Sequence, residues 1–272
     1  EIMPSLVGSE MCIRDSLSKH NLTFRETSVL LNSRLKLDGS MNLMRQVVKN
    51  KPTVGGFYMN PLVGLYRFPR GEDIAYYKEN FEVYDEGRNL NIQNWHTSYE
   101  DFEQNPYWIT NRILSKENRM HVIVSLSANL KINDWLSLQA RGNVDYINDK
   151  VRQQFYASTA PALAGANGRY IEMDYQETQY YGDAILMMKK QWDAFSLNAA
   201  LGVSINDKTV NSTRYDSKTA SLKYANVFNL ANIIMNGSAG LDQKIDARRQ
   251  LQSLFATAQP VSYTHLTLPT IA

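Results

Sequence analysis

The sequence predicts an all-β protein: an antiparallel transmembrane β-barrel fragment, built as an open curved sheet with long extracellular loops. Three observations predict it. Apolar and polar side chains alternate with a period of two over runs of about ten residues or more. The connections between these runs come in two lengths, tight turns and long polar loops. No apolar stretch approaches the ~20 residues that a membrane-crossing helix requires, whereas barrel strands place only alternate residues in lipid and leave the average hydropathy low.

The two ends of the chain are set apart first. Met11 to Asp15 can be encoded ATG TGT ATA AGA GAC, and the complementary strand of that DNA, GTC TCT TAT ACA CAT, encodes Val261, Ser262, Tyr263, Thr264 and His265. Inverted DNA at both ends is what a translated sequencing-library adapter leaves around a genomic insert. Residues 1–16 and 260–272 are therefore expected to be non-native and are excluded from fold reasoning. Residues 17–259 are expected to be an interior piece of a longer protein, a partial outer-membrane β-barrel. The exclusion removes Cys12, the only cysteine, and with it disulfides, thiolate metal sites and a cysteine nucleophile.

The first native strand is read at Leu35, Leu37, Gly39, Met41 and Leu43, which alternate with Lys36, Asp38, Ser40 and Asn42. The clearest follows at Met120, Val122, Val124, Leu126, Ala128, Leu130 and Ile132, with only Ile123 apolar among the intervening positions. Successive side chains of a strand point to opposite faces, so one face is apolar and the other polar. Asn133-Asp134 reads as a hairpin turn. The alternation then resumes through Leu136, Leu138, Ala140, Gly142, Val144 and Tyr146. A second hairpin joins Tyr180–Met188 to Phe195–Ile205 through a short KQWDA turn. Long polar loops are expected over 45–118, 148–176 and 207–245. Short turns on one rim and long loops on the other mark an outer-membrane barrel, with Trp135 and Trp192 placed beside the short turns as an interfacial girdle.

The longest loop carries ordered motifs: Asn60-Pro61-Leu62, Gly64-Leu65-Tyr66, Phe68-Pro69-Arg70-Gly71, Gln93-Asn94-Trp95, then Gln104-Asn105-Pro106-Tyr107-Trp108 with Asn111-Arg112. These residues resemble the SusC/RagA family of TonB-linked outer-membrane transporters of Bacteroidetes-type bacteria, and the resemblance covers nearly all of residues 17–259. It implies a section of a wide barrel in the cell outer membrane. It also implies a SusD-like surface lipoprotein as partner, a TonB complex acting through a plug domain, and uptake of an oligosaccharide first or a peptide second. Physically, Asn-Pro and Pro-Arg-Gly fix the path of a loop. Trp95, Tyr99, Tyr107 and Trp108 are the candidate substrate contacts, since each can stack on a solute or anchor the loop by packing.

No catalytic function is expected. The GxSxG, GxxxxGK and HExxH patterns are absent, His20, His96 and His121 are scattered, and the acidic pairs Asp85-Glu86 and Glu100-Asp101 lack EF-hand spacing. No cofactor or metal is expected either. A formal net charge of +2 without a Lys/Arg run gives no basis for nucleic-acid binding. The alternative is a soluble or surface β-sandwich that binds or adheres without transport. The two readings differ in what covers the apolar face: lipid in a barrel, a second sheet in a sandwich. In detergent-free buffer the chain should fail to give a monodisperse, cooperatively melting species. Size-exclusion chromatography with a thermal melt checks this, and a well-behaved soluble monomer would contradict the barrel.

Overall fold

The structure, a computed structural model, describes residues 3–9, 15–51, 58–97, 103–192, 195–220, 222–235 and 239–262. One eight-stranded sheet dominates it, in the order β1 (Met3–Ser9), β2 (Ser16–Leu30), β3 (Leu35–Lys49), β6 (Ile113–Lys131), β7 (Leu136–Phe155), β8 (Arg169–Trp192), β9 (Phe195–Asp216), β10 (Gly240–Ser262). Every neighbouring pair is antiparallel. The intervening β4 (Glu82–Asp85) and β5 (Leu90–Gln93) form a separate two-stranded ribbon inside the first long loop. The sheet is open, with β1 and β10 as its edges.

The register sorts the side chains. Leu37, Ala128, Ala140, Ala184, Val203 and Leu254 lie in one row across β3 to β10, and Leu35, Leu130, Leu138, Leu186, Leu201 and Ala256 lie in the next. The opposite face carries Asp38, Ser127, Arg141, Asp183, Ser204 and Ser253. On this polar face Arg141 contacts Asp183 at 2.9 Å, Arg119 contacts Asp149 at 2.7 Å, and His121 meets Asp145 at 2.7 Å. A lysine or arginine turned to lipid at mid-depth costs about 2–4 kcal/mol, so in a bilayer Arg141 and its row would take the side away from lipid.

The apolar rows are left bare. Leu126 is 59% exposed, Val203 51% and Leu254 74%, and among the described residues no helix or second sheet packs across them. From Leu136 to Tyr146 this row spans about 34 Å along the strand at ~3.4 Å per residue. At a tilt near 40° that is about 25 Å of depth, the height of the apolar band of an outer-membrane barrel. Beneath it, Trp135, Trp192 and Phe195 stand at the short-turn rim.

Connection lengths follow the predicted asymmetry. Leu31–Arg34 and Ile132–Trp135 are tight turns at one end, and β8 passes to β9 between Trp192 and Phe195 at the same end. The first is closed by Leu31, Asn32 and Ser33, all at positive φ, with the Arg34 amide donating to the Leu31 carbonyl at 3.2 Å. In the second, the Asn133 side chain accepts from the Trp135 amide at 3.0 Å. The long connections, 50–112, 156–168 and 217–239, leave the opposite end.

Several boundaries differ from the sequence expectation. The loops expected over 148–176 and 207–245 shrink because β7, β8, β9 and β10 run on past the apolar band, where both faces are polar and alternation carries no signal. The KQWDA turn is shorter than expected: Lys190, Gln191 and Trp192 remain in β8. Ser16–Leu30 is a full strand that the alternation did not single out, because Glu26 and Ser28 interrupt its outward row. The flanking segments, expected to be non-native, nonetheless join the sheet: Met3–Ser9 pairs with Leu17–Thr23, and Pro260–Ser262 pairs with Phe195–Leu197. Backbone pairing reads no side chain, so a free edge accepts whatever extended segment lies beside it.

Charging the two faces separates them. Leu126→Arg should destabilise the chain folded in phospholipid vesicles by about 2–4 kcal/mol, whereas Ser127→Arg, on the opposite face, should cost far less. Urea titration followed by tryptophan fluorescence measures both, and equal losses would contradict the assignment of faces.

Candidate functional site

The three long connections are laced into one cap over the polar side of the sheet. In the first, each Asn-Pro pair starts a helix. Asn60 caps α1 (Pro61–Arg67) by accepting from the Leu62 amide at 3.0 Å, and Asn105 caps α3 (Pro106–Arg112) by accepting from the Tyr107 amide at 2.8 Å. Proline suits the first helical position because its missing N–H has no partner there. Asp73 caps α2 (Ile74–Glu79) in the same way at 2.8 Å. Gly64 lets α1 lie on α3, since a β-carbon there would stand 2.6 Å from the Gln104 carbonyl oxygen and 3.2 Å from Pro106.

The buried amides of the QNPYW stretch hold the cap together. Asn105, fully buried, donates to the carbonyls of Tyr77 at 3.0 Å and Asn94 at 2.8 Å, while its own amide N–H donates to the Gln93 side chain at 2.7 Å. The Gln93 backbone N–H donates to the Ser158 hydroxyl oxygen at 3.0 Å. The Trp108 indole donates to Thr159 at 3.0 Å, and the Ala160 amide donates to the Gln104 side chain at 2.8 Å. These contacts tie the first loop to the second. The second is tied to the third through Asn226, which accepts from the Ala157 amide at 2.7 Å, and through Asn167, which donates to the Leu222 carbonyl at 2.9 Å. Removing one partner from such a buried network strands the other, at about 1–3 kcal/mol each.

Arg112, at the foot of α3, forks onto Glu82 at 2.8 and 2.7 Å and lies 5.1 Å from the Tyr156 ring. The hydrogen bonds it donates to Glu82 hold its guanidinium above the ordinary arginine range, against the opposing effect of burial. Glu103, also buried, stands 2.9 Å from Arg67 and 3.1 Å from His96.

Between α1, α3 and the head of β6–β7 lies a cavity of about 920 Å³, lined by Met59, Leu65, Phe81, Tyr107, Ile113 and Glu117 with Lys78 at its margin. Ile113 and Glu117 belong to the polar row of β6, so the cavity opens on the wet side of the sheet. A second, more open hollow of about 510 Å³ lies along β8–β10 and follows the uncovered sheet surface. The first has mixed character: apolar walls with Lys51, Lys78, Asp15 and Glu117 also in the lining.

The four candidate contacts fare differently. Trp108 is fully buried and Trp95 sits in a stack with Phe68 at 5.2 Å, Tyr77 at 5.2 Å and His96 at 4.7 Å. Both rings are engaged in packing. Tyr107 is half-buried and lines the cavity. Tyr99 lies outside the described residues, as does the pair Glu100-Asp101. Asp85 closes a turn by accepting from the amides of Gly87 and Arg88 at 2.9 and 3.2 Å. Among the described residues no group of three His, Cys, Asp or Glu could hold a metal ion. Sequence reasoning missed Met59, Phe81 and Glu117, which lie in separate stretches and share no motif; Leu65 stood in the Gly64-Leu65-Tyr66 motif without being read as a lining residue.

The fold and its cap define a class: a section of an antiparallel membrane-type β-barrel whose long loops close over the polar face. No protein-family profile matches the chain, and no curated protein matches it. Solved structures do. The chain is similar to the RagAB peptide transporter and to the RagAB peptide importer in its 'closed-closed' and 'open-open' states, each at a TM-score of 0.62, with 14%, 15% and 14% identity. In each case 91% of this chain is covered and 26% of the transporter chain. The likeness shows the fold, and the chain spans about a quarter of the length of those proteins.

Gly64→Ala should lift α1 from α3 and speed proteolytic cleavage within 58–112, leaving the protection of β6–β9 amides against hydrogen exchange unchanged. Cleavage no faster than in the unaltered chain would contradict the close approach described at Gly64.

Proposed function

We propose that this chain is part of the barrel of an energised outer-membrane importer of the SusC/RagA type. The observation that carries the reading is the division of labour between the faces. An apolar band about 25 Å deep, interrupted by Glu26 and Ser28 in β2 and edged by Lys190 in β8, is left for lipid, while the polar face bears the capped cavity. That division weighs against the sandwich, which would cover the apolar rows with its own chain. The ordered motifs from Asn60 to Arg112 and the likeness to RagAB structures support the same reading. In it, residues 17–259 are the native section and the ends are translated adapter. A SusD-like lipoprotein closes over the long-loop rim, and the TonB complex acts through a plug domain elsewhere in the intact protein.

The solute is an oligosaccharide or a peptide. The lining supports a peptide: Lys78 and Glu117 offer opposite charges beside Met59, Leu65 and Phe81, and the indoles of Trp95 and Trp108, which could have stacked on a sugar, are buried. Of the aromatic candidates, Tyr107 is the residue placed against the solute. Equilibrium binding of mixed oligopeptides and mixed oligosaccharides to the detergent-solubilised protein tests this. Peptide should bind, and Tyr107→Ala or Glu117→Lys should weaken it about tenfold, roughly the loss of one good contact. Binding of glycan alone would reverse the substrate assignment, and binding of neither would remove the cavity from the pathway.

A further inference from the structure

At the short-turn end, the outward row of β8 runs Ala184, Leu186, Met188, Lys190 and Trp192. A lysine thus interrupts an apolar row one step before the rim. Its ammonium lies 5.2 Å from the centre of the Trp135 ring and 5.3 Å from that of Trp192, both inside the ~6 Å range of cation–π attraction. Phe195 of β9 packs on Trp192 at 5.7 Å and steadies the outer ring. Both indoles remain partly exposed.

The charge has no carboxylate partner among the described residues. Lys131, at the same rim, stands 2.8 Å from Asp134, and Lys36 stands 3.4 Å from Asp38. Those two project from the polar face. Lys190 is on the other side of the sheet, where its neighbours are apolar or aromatic. Ring faces attract an ammonium without accepting its three N–H bonds in the ordinary way, so the donors stay available to an anion. The position decides which anion: the lysine sits at the edge of the apolar band, at the level where lipid headgroups begin.

We propose that Lys190, held between Trp135 and Trp192, binds the phosphate of an anionic phospholipid headgroup in the leaflet that meets the short turns. The site rests on the reading above that the outward row faces lipid. It gives the barrel a fixed lipid at one point of its rim, where the apolar band alone would hold all lipids equally.

The test uses the full chain folded in phosphatidylcholine vesicles containing equal fractions of brominated phosphatidylglycerol or brominated phosphatidylcholine. Bromines close to the headgroup quench Trp135 and Trp192, so quenching reports which lipid occupies the rim. Brominated phosphatidylglycerol should be enriched there about fivefold, the ratio that ~1 kcal/mol per interfacial lysine corresponds to. Lys190→Gln should bring the two lipids level, and Lys190→Arg should restore the preference. Equal quenching in the unaltered chain, or a preference that survives Lys190→Gln, overturns the site while leaving the lipid-facing row intact. Quenching by neither lipid overturns the lipid-facing reading and the site with it. Loss of the preference to excess inorganic phosphate would assign the pocket to the free ion instead.

Discussion

A ladder of backbone hydrogen bonds that sorts side chains to alternate faces is the constraint on which everything else in this chain depends. Within hydrocarbon no water can satisfy an amide, so a strand that spans must be paired along its whole length; in the eight-stranded sheet only the outer sides of β1 and β10 are open. Pairing fixes the register, and the register fixes which side chains share a face. A one-residue slip of β6 against β7 would bring Ser127 into the apolar row and Leu126 into the polar one. Those two rows differ so sharply that the slip is strongly disfavoured. The ion pairs of the polar face, Arg141 with Asp183 and Arg119 with Asp149, reinforce the same register from the wet side.

The cap obeys a different rule. Outside the sheet the chain has few ladder bonds, and primary amides take their place. Asn105, Gln93, Gln104 and Asn226 each join backbone groups from segments far apart in sequence. An asparagine offers two donors and an acceptor on a short stem, enough to stand in for a missing strand neighbour. This explains why a polar loop can bury Trp108 completely and why α1, α3 and the strand heads enclose a cavity rather than splay apart. The same scaffold brings Lys78 and Glu117 to the lining of one cavity.

Much of the sheet was legible in the residues. β6 and β7 alternate almost perfectly because every outward position faces the same environment over the depth of the band. β2 was not legible, since Glu26 and Ser28 sit in its outward row and only its pairing with β3 places them. The upper halves of β7 to β10 escaped for a related reason: above the band both faces are wet, so period two leaves no trace in composition. The Asn-Pro pairs were read as loop formers, and they do shape the loop, yet their role as helix caps appears only once Leu62 and Tyr107 are seen donating to them. The cavity was the least legible feature. Met59 and Phe81 come from separate stretches of the first loop and Ile113 and Glu117 from β6, and their convergence is a property of the fold alone.

Site-directed spin labelling along β6, one nitroxide at a time from Met120 to Leu130 in the vesicle-embedded chain, tests the central claim most directly. Collision rates with oxygen and with a water-soluble nickel chelate should alternate with a period of two and opposite phase. Oxygen should dominate at Val122, Val124, Leu126, Ala128 and Leu130, and the chelate at the residues between. Equal access at adjacent positions, or an even row shielded from both probes, would contradict the account.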